Sequence, residues 1–419
     1  MTAAQTAVAS GPDAGQTRGK AAGFVPGFDG LRAIAALLVV VVHVGAASGF
    51  TFRSSLGRYT SRGEIGVSVF FLISGFLLYR PFAAAAMAGR DGPKVRSYLV
   101  RRALRIVPLY WVALIVTYLF TGWASVHGVS GFLENAFFLQ VYSRQWVFHG
   151  ITQAWSLCIE VTFYLALPVW AAWMRKLDRR RRRPHDPAAV LRRELFALAV
   201  LYVASLLFRL WVVASPHGPT QTARSWLPAW SDHFALGMAL AVTGTYVSQT
   251  GVVPKVLRWI AKPGADLLCW IIAAFMFWLV ATQVGLSTDP LAVGGAGTDV
   301  AREILYGMFG FFLLLPAVFG TPRTGLVRRL LASRVLSSIG LVSYGIYLWH
   351  QLVVRELQAH TSWKVLDAPF LPLFATAVVV VIAVSTVSYV FVERPGIAVG
   401  HRWLLRARER EAVHPDHRP

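Results

Sequence analysis

Cysteine is almost absent from this chain: there are two in 419 residues, Cys158 and Cys269. Both fall inside apolar stretches, which supports neither a disulfide framework nor a thiolate metal site. Charge is scarce as well. Only 15% of the residues are charged against 56% hydrophobic, and a soluble chain of this length has no interior large enough to hide that much apolar surface. Acidic residues are the rarer charge, 20 against 41 Lys and Arg, leaving a net charge of +21. Such a surplus can mark a nucleic-acid binder. Its distribution excludes that reading here, because the basic residues gather in short segments between hydrophobic runs. There is no internal repeat and no room for an appended soluble domain. Residues 1–27 lack an apolar core and a cleavage site, so they read as a disordered tail rather than a signal peptide.

What the chain does have is about ten hydrophobic runs, near residues 31–48, 64–84, 106–122, 156–174, 195–213, 229–247, 265–283, 303–319, 336–357 and 370–392. Each approaches the ~20 residues needed to cross a bilayer. The basic clusters, from Arg80 to Arg105, at Arg175, Lys176 and Arg179 to Arg183, from Arg323 to Arg334, and onward from Arg394, fall in alternate connections. The positive-inside rule then places both termini in the cytosol, and the basic surplus reads as topology and lipid contact. The expected fold is an all-α, polytopic transmembrane helix bundle. Residues 28–396 form the membrane-embedded domain, and 397–419 a basic cytosolic tail. The sizeable outer segments are 123–155 and 284–302, the second Gly-rich from Gly285 to Gly297.

Ionisable residues inside the runs mark the chemistry. Arg32 and His43 lie in the first, and Arg at the centre of a membrane helix costs about 2.5–3.5 kcal/mol on insertion scales. Such a group needs a partner, a cavity or a task. Their separation of eleven positions makes about three turns, roughly 16 Å, so the two share a face. Asp29 is a candidate N-cap for this helix. Arg101, Arg102 and Arg105 precede Pro108 at the cytosolic end of the third run; Arg102 and Arg105 are three apart on one face and suit phosphate oxygens. The alternative is ordinary positive-inside anchoring. Trp155 and Glu160 open the fourth run, and a carboxylate in the outer half beside His43 would set its tautomer and raise its basicity as a general base. Ser343, Tyr347 and His350 follow i, i+4, i+7 and form a polar stripe in the ninth run. Cys158 reads as a small packed hydrophobe, and Ser74-Gly75 as a close-packing notch. Glu393 reads as a tie between the last helix end and basic neighbours. His127, His149 and Asp232-His233 lack metal spacing, so no metal is expected.

In order along the chain, these segments resemble the acyltransferase 3 family of integral membrane proteins. The matching stretches are Phe28 to Ala35 with His43, Gly66 to Leu78, Tyr98 to Trp111, Trp155 to Tyr164, Ser343 to His350 and Phe391 to Pro395. The resemblance implies O-acylation: an acyl group, often acetyl, passes from cytosolic acyl-CoA to a hydroxyl on an extracytoplasmic glycan, glycolipid or secondary metabolite. It assigns function to Arg32 and His43, to Arg102 and Arg105 with Arg101 beside them, and to Glu160. On that reading His43 is the base, oriented by Glu160. Arg32, Tyr347 or backbone N–H groups stabilise the oxyanion, and Trp155, Ser343, Tyr347 and His350 line the substrate cavity. The chain lacks the C-terminal esterase-like domain of some envelope-modifying members.

The expected protein therefore resides in the inner (plasma) membrane, contacts membrane lipid, uses acyl-CoA, and takes a glycolipid or glycan acceptor, with no nucleic acid. Its Ala-, Arg- and Val-rich composition fits a high-GC bacterium, for which an envelope glycolipid or polysaccharide is the first acceptor class and a macrolide-type metabolite the second. A secondary transporter also accommodates ten spans with midplane charges. A relay that hands the acyl group to a separate outer transferase is the third reading.

Overall fold

A computed structural model of the chain describes residues 27–121, 128–143, 150–180, 186–215, 220–288, 294–319 and 325–413. All but the last residue of the N-terminal tail, His127, His149, Arg181 to Arg183 and parts of both outer segments lie outside the described residues. The long helices are α1 (Phe28–Ala47), α2 (Ile65–Met87), α3 (Val95–Thr121), α4 (Trp155–Arg180), α5 (Pro187–Ala214), α6 (Ser231–Thr250), α7 (Ala265–Thr282), α8 (Ala296–Phe319), α9 (Ser343–His360) and α10 (Phe370–Ser388). A π turn, Tyr389–Glu393, joins α10 to α11 (Arg394–Val413). Among the described residues there is no strand, only an isolated bridge between Lys364 and Asp367. Each of the ten predicted runs is helical, and the fold is all-α.

Among the described residues, eight segments are long and apolar enough to cross a membrane. Two predicted runs, now α6 and α9, are not among them, for a physical reason. Ser231, Asp232, His233 and Thr245 are buried on α6, as are Ser343 and His350 on α9. A helix surrounded by other helices can carry polar groups that lipid would reject.

Three boundaries differ from the sequence reading. Helix α3 begins at Val95, eleven residues before its apolar run, so the arginine segment is helical and Pro108 lies inside an unbroken helix. The run at 336–357 is split into Arg334–Leu341 and α9 at Val342. The break follows a close approach: a Cβ on Gly340 would sit 1.8 Å from the Asp29 carbonyl oxygen, so the short helix lies directly on the start of α1. Helix α11 runs through the boundary placed at 396/397. Asp29 is not the N-cap of α1. Gly27, in the left-handed region at φ 93°, takes that position, and Asp29 sits in the first turn and pairs with Arg32.

The most extensive helix pairing is α2 against α6, and its sequence basis is a pair of glycines. A Cβ on Gly75 would lie 2.5 Å from the Phe234 carbonyl oxygen, and one on Gly237 would lie 2.1 Å from that of Leu72. Small residues let the two backbones meet, the main source of packing attraction where lipid removes the hydrophobic drive. The Gly75 half of the predicted notch has this role. Around the crossing, Phe71 stacks on Phe234 at 4.8 Å and Phe234 on Phe163 at 3.9 Å.

Gly237→Ala is expected to force α2 and α6 apart and to cost about 1–3 kcal/mol, the usual range for overpacking. Gly297→Ala, with nothing within 4 Å of its new Cβ, is the control. Thermal unfolding of the two variants in the same detergent should show a lower midpoint only for the first.

Candidate active site

Three helices with polar residues three or four positions apart, together with α1 and α2, enclose a cavity of about 90 Å³. Helix α1 supplies Arg32, α2 Ser74, α3 Arg102 and Arg105, α4 Ser156 and Glu160, and α9 Ser343, Tyr344 and Tyr347. Six of the residues singled out in the sequence (Arg32, Arg102, Arg105, Glu160, Ser343 and Tyr347) therefore meet. Arg101, Trp155, His43 and His350 are not on the wall of this cavity. The Trp155 ring instead packs 5.2 Å from Trp230.

The charge on the wall is one-sided. Three guanidiniums face one carboxylate, and Arg32 lies within electrostatic reach of Arg102, Arg105 and Glu160. Arg32 is partly neutralised by Asp29 at 3.3 Å. The buried Nε of Arg102 has no hydrogen-bond partner, an orphaned charged donor beside a cavity. An excess of guanidinium in low-dielectric surroundings attracts anions, and planar forked donors suit phosphate and carboxylate. Glu393, buried at the end of the π turn, lies within electrostatic reach of Arg105.

Two hydrogen-bond sets fix the remaining walls. Ser74 Oγ donates to Glu160 Oε1 at 2.5 Å, so the serine that seemed part of a packing notch orients the carboxylate. Tyr347 donates its hydroxyl proton to the Gln153 carbonyl at 2.7 Å, and its oxygen is 2.6 Å from Ser156 Oγ. Gln153 in turn donates from Nε2 to the Leu348 carbonyl at 2.8 Å. The Tyr347 proton is thus held within the protein, which removes it from the candidate oxyanion donors. Tyr344 donates to the Ile106 carbonyl at 2.9 Å and ties α9 to α3.

His43 has a different partner from the one its sequence suggested. Its Nδ1 is 3.2 Å from Nε2 of His350 and 2.8 Å from the Val39 carbonyl oxygen. Glu160 bonds across to α2 instead. The reason is the position of α9, which packs on α1 and, through Gln153, on the turn before α4. Helix periodicity gave the face of His43 but not which neighbour that face would meet. The His350 ring lies 6.0 Å from that of Tyr347, so the histidine pair adjoins a residue of the cavity wall. Cys158 is buried, with Sγ against the Ala154 carbonyl at 3.3 Å, in keeping with a packing role.

A second polar cluster, of which the sequence reading named only Asp232 and His233, ties α5, α6 and α8 together. Arg209 Nη1 is 3.2 Å from Glu303 and 3.6 Å from Asp299, and Arg302 is 2.9 Å and 2.7 Å from the same two carboxylates. His233 bridges Asp232 at 2.9 Å and Glu303 at 3.7 Å, and the Arg209 guanidinium lies 4.8 Å over Trp230. Asp232, His233 and Glu303 offer ligand-type atoms within 4.8 Å of one another. The two guanidiniums bond Glu303 through Oε1, whereas Glu303 Oε2 and Asp232 Oδ2 have no hydrogen-bond partner. The sequence signal was an arginine inside an apolar run, which must have acidic partners.

A family model described as an acyltransferase domain matches residues 25–391. Among curated relatives, an acyltransferase, MdmB, of Streptomyces mycarofaciens is 27% identical over 85% of this chain and 88% of its own length. Nodulation protein 10 of Rhizobium leguminosarum bv. viciae is 27% identical over 70% and 72%. The peptidoglycan O-acetyltransferase OatA of Listeria monocytogenes is 22% identical over 89% of this chain but only 56% of its own length. No solved structure matches the chain significantly.

Replacing Arg209 by Ala would strip Glu303 and Asp299 of their central counter-charge. Breaking a buried ion pair from one side costs about 3–5 kcal/mol, so a thermal midpoint far below that of the parent protein is expected. An unchanged midpoint would show the network to be dispensable.

Proposed function

From the acyltransferase 3 family, to which the chain belongs, we propose that this membrane protein moves an acyl group, acetyl or another short one, from cytosolic acyl-CoA to a hydroxyl of an extracytoplasmic glycolipid or polysaccharide. The observation that carries the reading is the convergence of Arg32, Arg102, Arg105 and Glu160 on one cavity within the bundle. CoA is a phosphate-bearing anion made in the cytosol. Arg102 and Arg105, with Arg101 beside them, bind its phosphates, and the pantetheine arm carries the thioester inward.

His43 takes the proton of the acceptor hydroxyl as the oxygen attacks the thioester carbonyl. Backbone N–H groups stabilise the oxyanion that develops; the Arg32 head group, drawn back to Asp29 about 16 Å along α1 from His43, adds to the charge that holds the phosphates. Glu160, held by Ser74, balances the guanidiniums so that the phosphates can enter and leave. The name of the OatA relative favours a glycan acceptor, although that match covers little more than half of OatA. The protein then resides in the plasma membrane, both termini in the cytosol, with ten helices crossing.

Purified protein in nanodiscs should release CoA from acetyl-CoA. His43→Ala is expected to lower the turnover number by about 10²–10⁴-fold, the usual worth of a general base. Arg102→Ala should mainly raise the KM for acetyl-CoA, by about tenfold or more for the loss of a charge-assisted hydrogen bond. Full turnover in the His43 variant would sink the mechanism. No turnover and no CoA binding by folded parent protein would favour a transporter instead.

A further inference from the structure

The histidine pair carries more than proximity. His350 Nδ1 lies 2.8 Å from the Tyr347 carbonyl oxygen and 3.2 Å from that of Ile346. Carbonyl oxygens only accept, so the hydrogen of the neutral ring is on Nδ1 and its Nε2 holds a lone pair. That lone pair faces His43 Nδ1 at 3.2 Å. The second neighbour of His43 Nδ1, the Val39 carbonyl at 2.8 Å, is another acceptor. With acceptors on both sides, His43 must carry its hydrogen on Nδ1, which leaves Nε2 as the basic nitrogen. The Val39 oxygen also receives the backbone N–H of His43 in the i→i−4 ladder and accepts the ring hydrogen through its second lone pair, so it shares that hydrogen with His350.

We propose that His350 is a positioning residue for the acyl-transfer reaction: it holds His43 as the Nδ1–H tautomer and supports the charge that the ring acquires. This rests on the transferase reading and assigns His350 a task other than touching substrate. In the transfer step, His43 Nε2 takes the hydroxyl proton as the acceptor oxygen bonds to the acyl carbon. The carbon–sulfur bond breaks, and the same proton passes from Nε2 to the CoA thiolate. The hydrogen on Nδ1 stays between the Val39 carbonyl and His350 Nε2 throughout. A second ring in this place does what the orienting carboxylate does in a nucleophile–histidine–carboxylate triad, and it does so without placing another anion at membrane depth.

The test has two arms. In protein labelled with ¹⁵N-histidine, the signals lost in His43→Ala identify the ring of His43; they are expected to show a protonated Nδ1 and a bare Nε2. His350→Leu is expected to lower the turnover number by about 10- to 100-fold, as loss of an outer hydrogen-bond partner does, with the KM for acetyl-CoA unchanged. His350→Gln, whose amide oxygen can accept the same hydrogen, should recover most of that loss. Neither change should alter the residual rate of His43→Ala. A hydrogen on Nε2 of His43 overturns the proposal. So does a loss in His350→Leu that persists at the same factor in the His43→Ala background, since that loss would not act through His43. The nuclear resonance reports the tautomer whether or not the parent protein turns over acetyl-CoA, so failure of the transferase reading is seen separately.

Discussion

Three guanidiniums facing a single carboxylate inside an apolar bundle set the constraint on which the site depends. Arg32, Arg102 and Arg105 cannot face lipid without a large loss of hydration, so α1 and α3 must turn them inward. The one carboxylate on the cavity wall, Glu160, is held by Ser74 from a fifth helix. With Asp29 drawn into the first turn of α1 to pair with Arg32, the chamber keeps a surplus of positive charge. That surplus distinguishes it from a sealed ion network.

The second network shows the opposite solution. Around Arg209, guanidiniums and carboxylates alternate so closely that the charges are spent on one another, and the result ties α5, α6 and α8 together. The glycine crossing of α2 and α6 links the two regions, because α2 carries Ser74 into the chamber while α6 carries Asp232 and His233 into the network. Between them lies the Phe71–Phe234–Phe163 stack, an apolar layer that keeps the two sets of charges apart.

Much of this was legible in the residues. Apolar runs located each long helix, since run length against bilayer thickness is a nearly one-dimensional problem. Spacing placed Arg102 with Arg105, and Ser343 with Tyr347, on shared faces. The failures have one kind of cause. The start of α3 was missed because Arg96, Arg101, Arg102 and Arg105 break up its apolar residues, and hydropathy sees lipid-facing helix better than helix itself. Asp232 and His233 were passed over because the residue that joins them to the network, Glu303, is about seventy positions away on another helix. Ser74 was read for its size, as a neighbour of Gly75, when its hydroxyl was the relevant group.

The sequence by itself determined a membrane bundle and its family, together with the residue types that a polar site within it would need. Periodicity and hydropathy act along one helix at a time, and that is enough to say which face is polar. It does not say which faces meet. Only the tertiary structure decided that Glu160 turns to Ser74 and that His43 turns to His350, because those pairings depend on how helices are placed around one another. That placement comes from close approaches such as Gly340 on Asp29 and Gly237 on Leu72, contacts between distant parts of the chain that no local pattern contains.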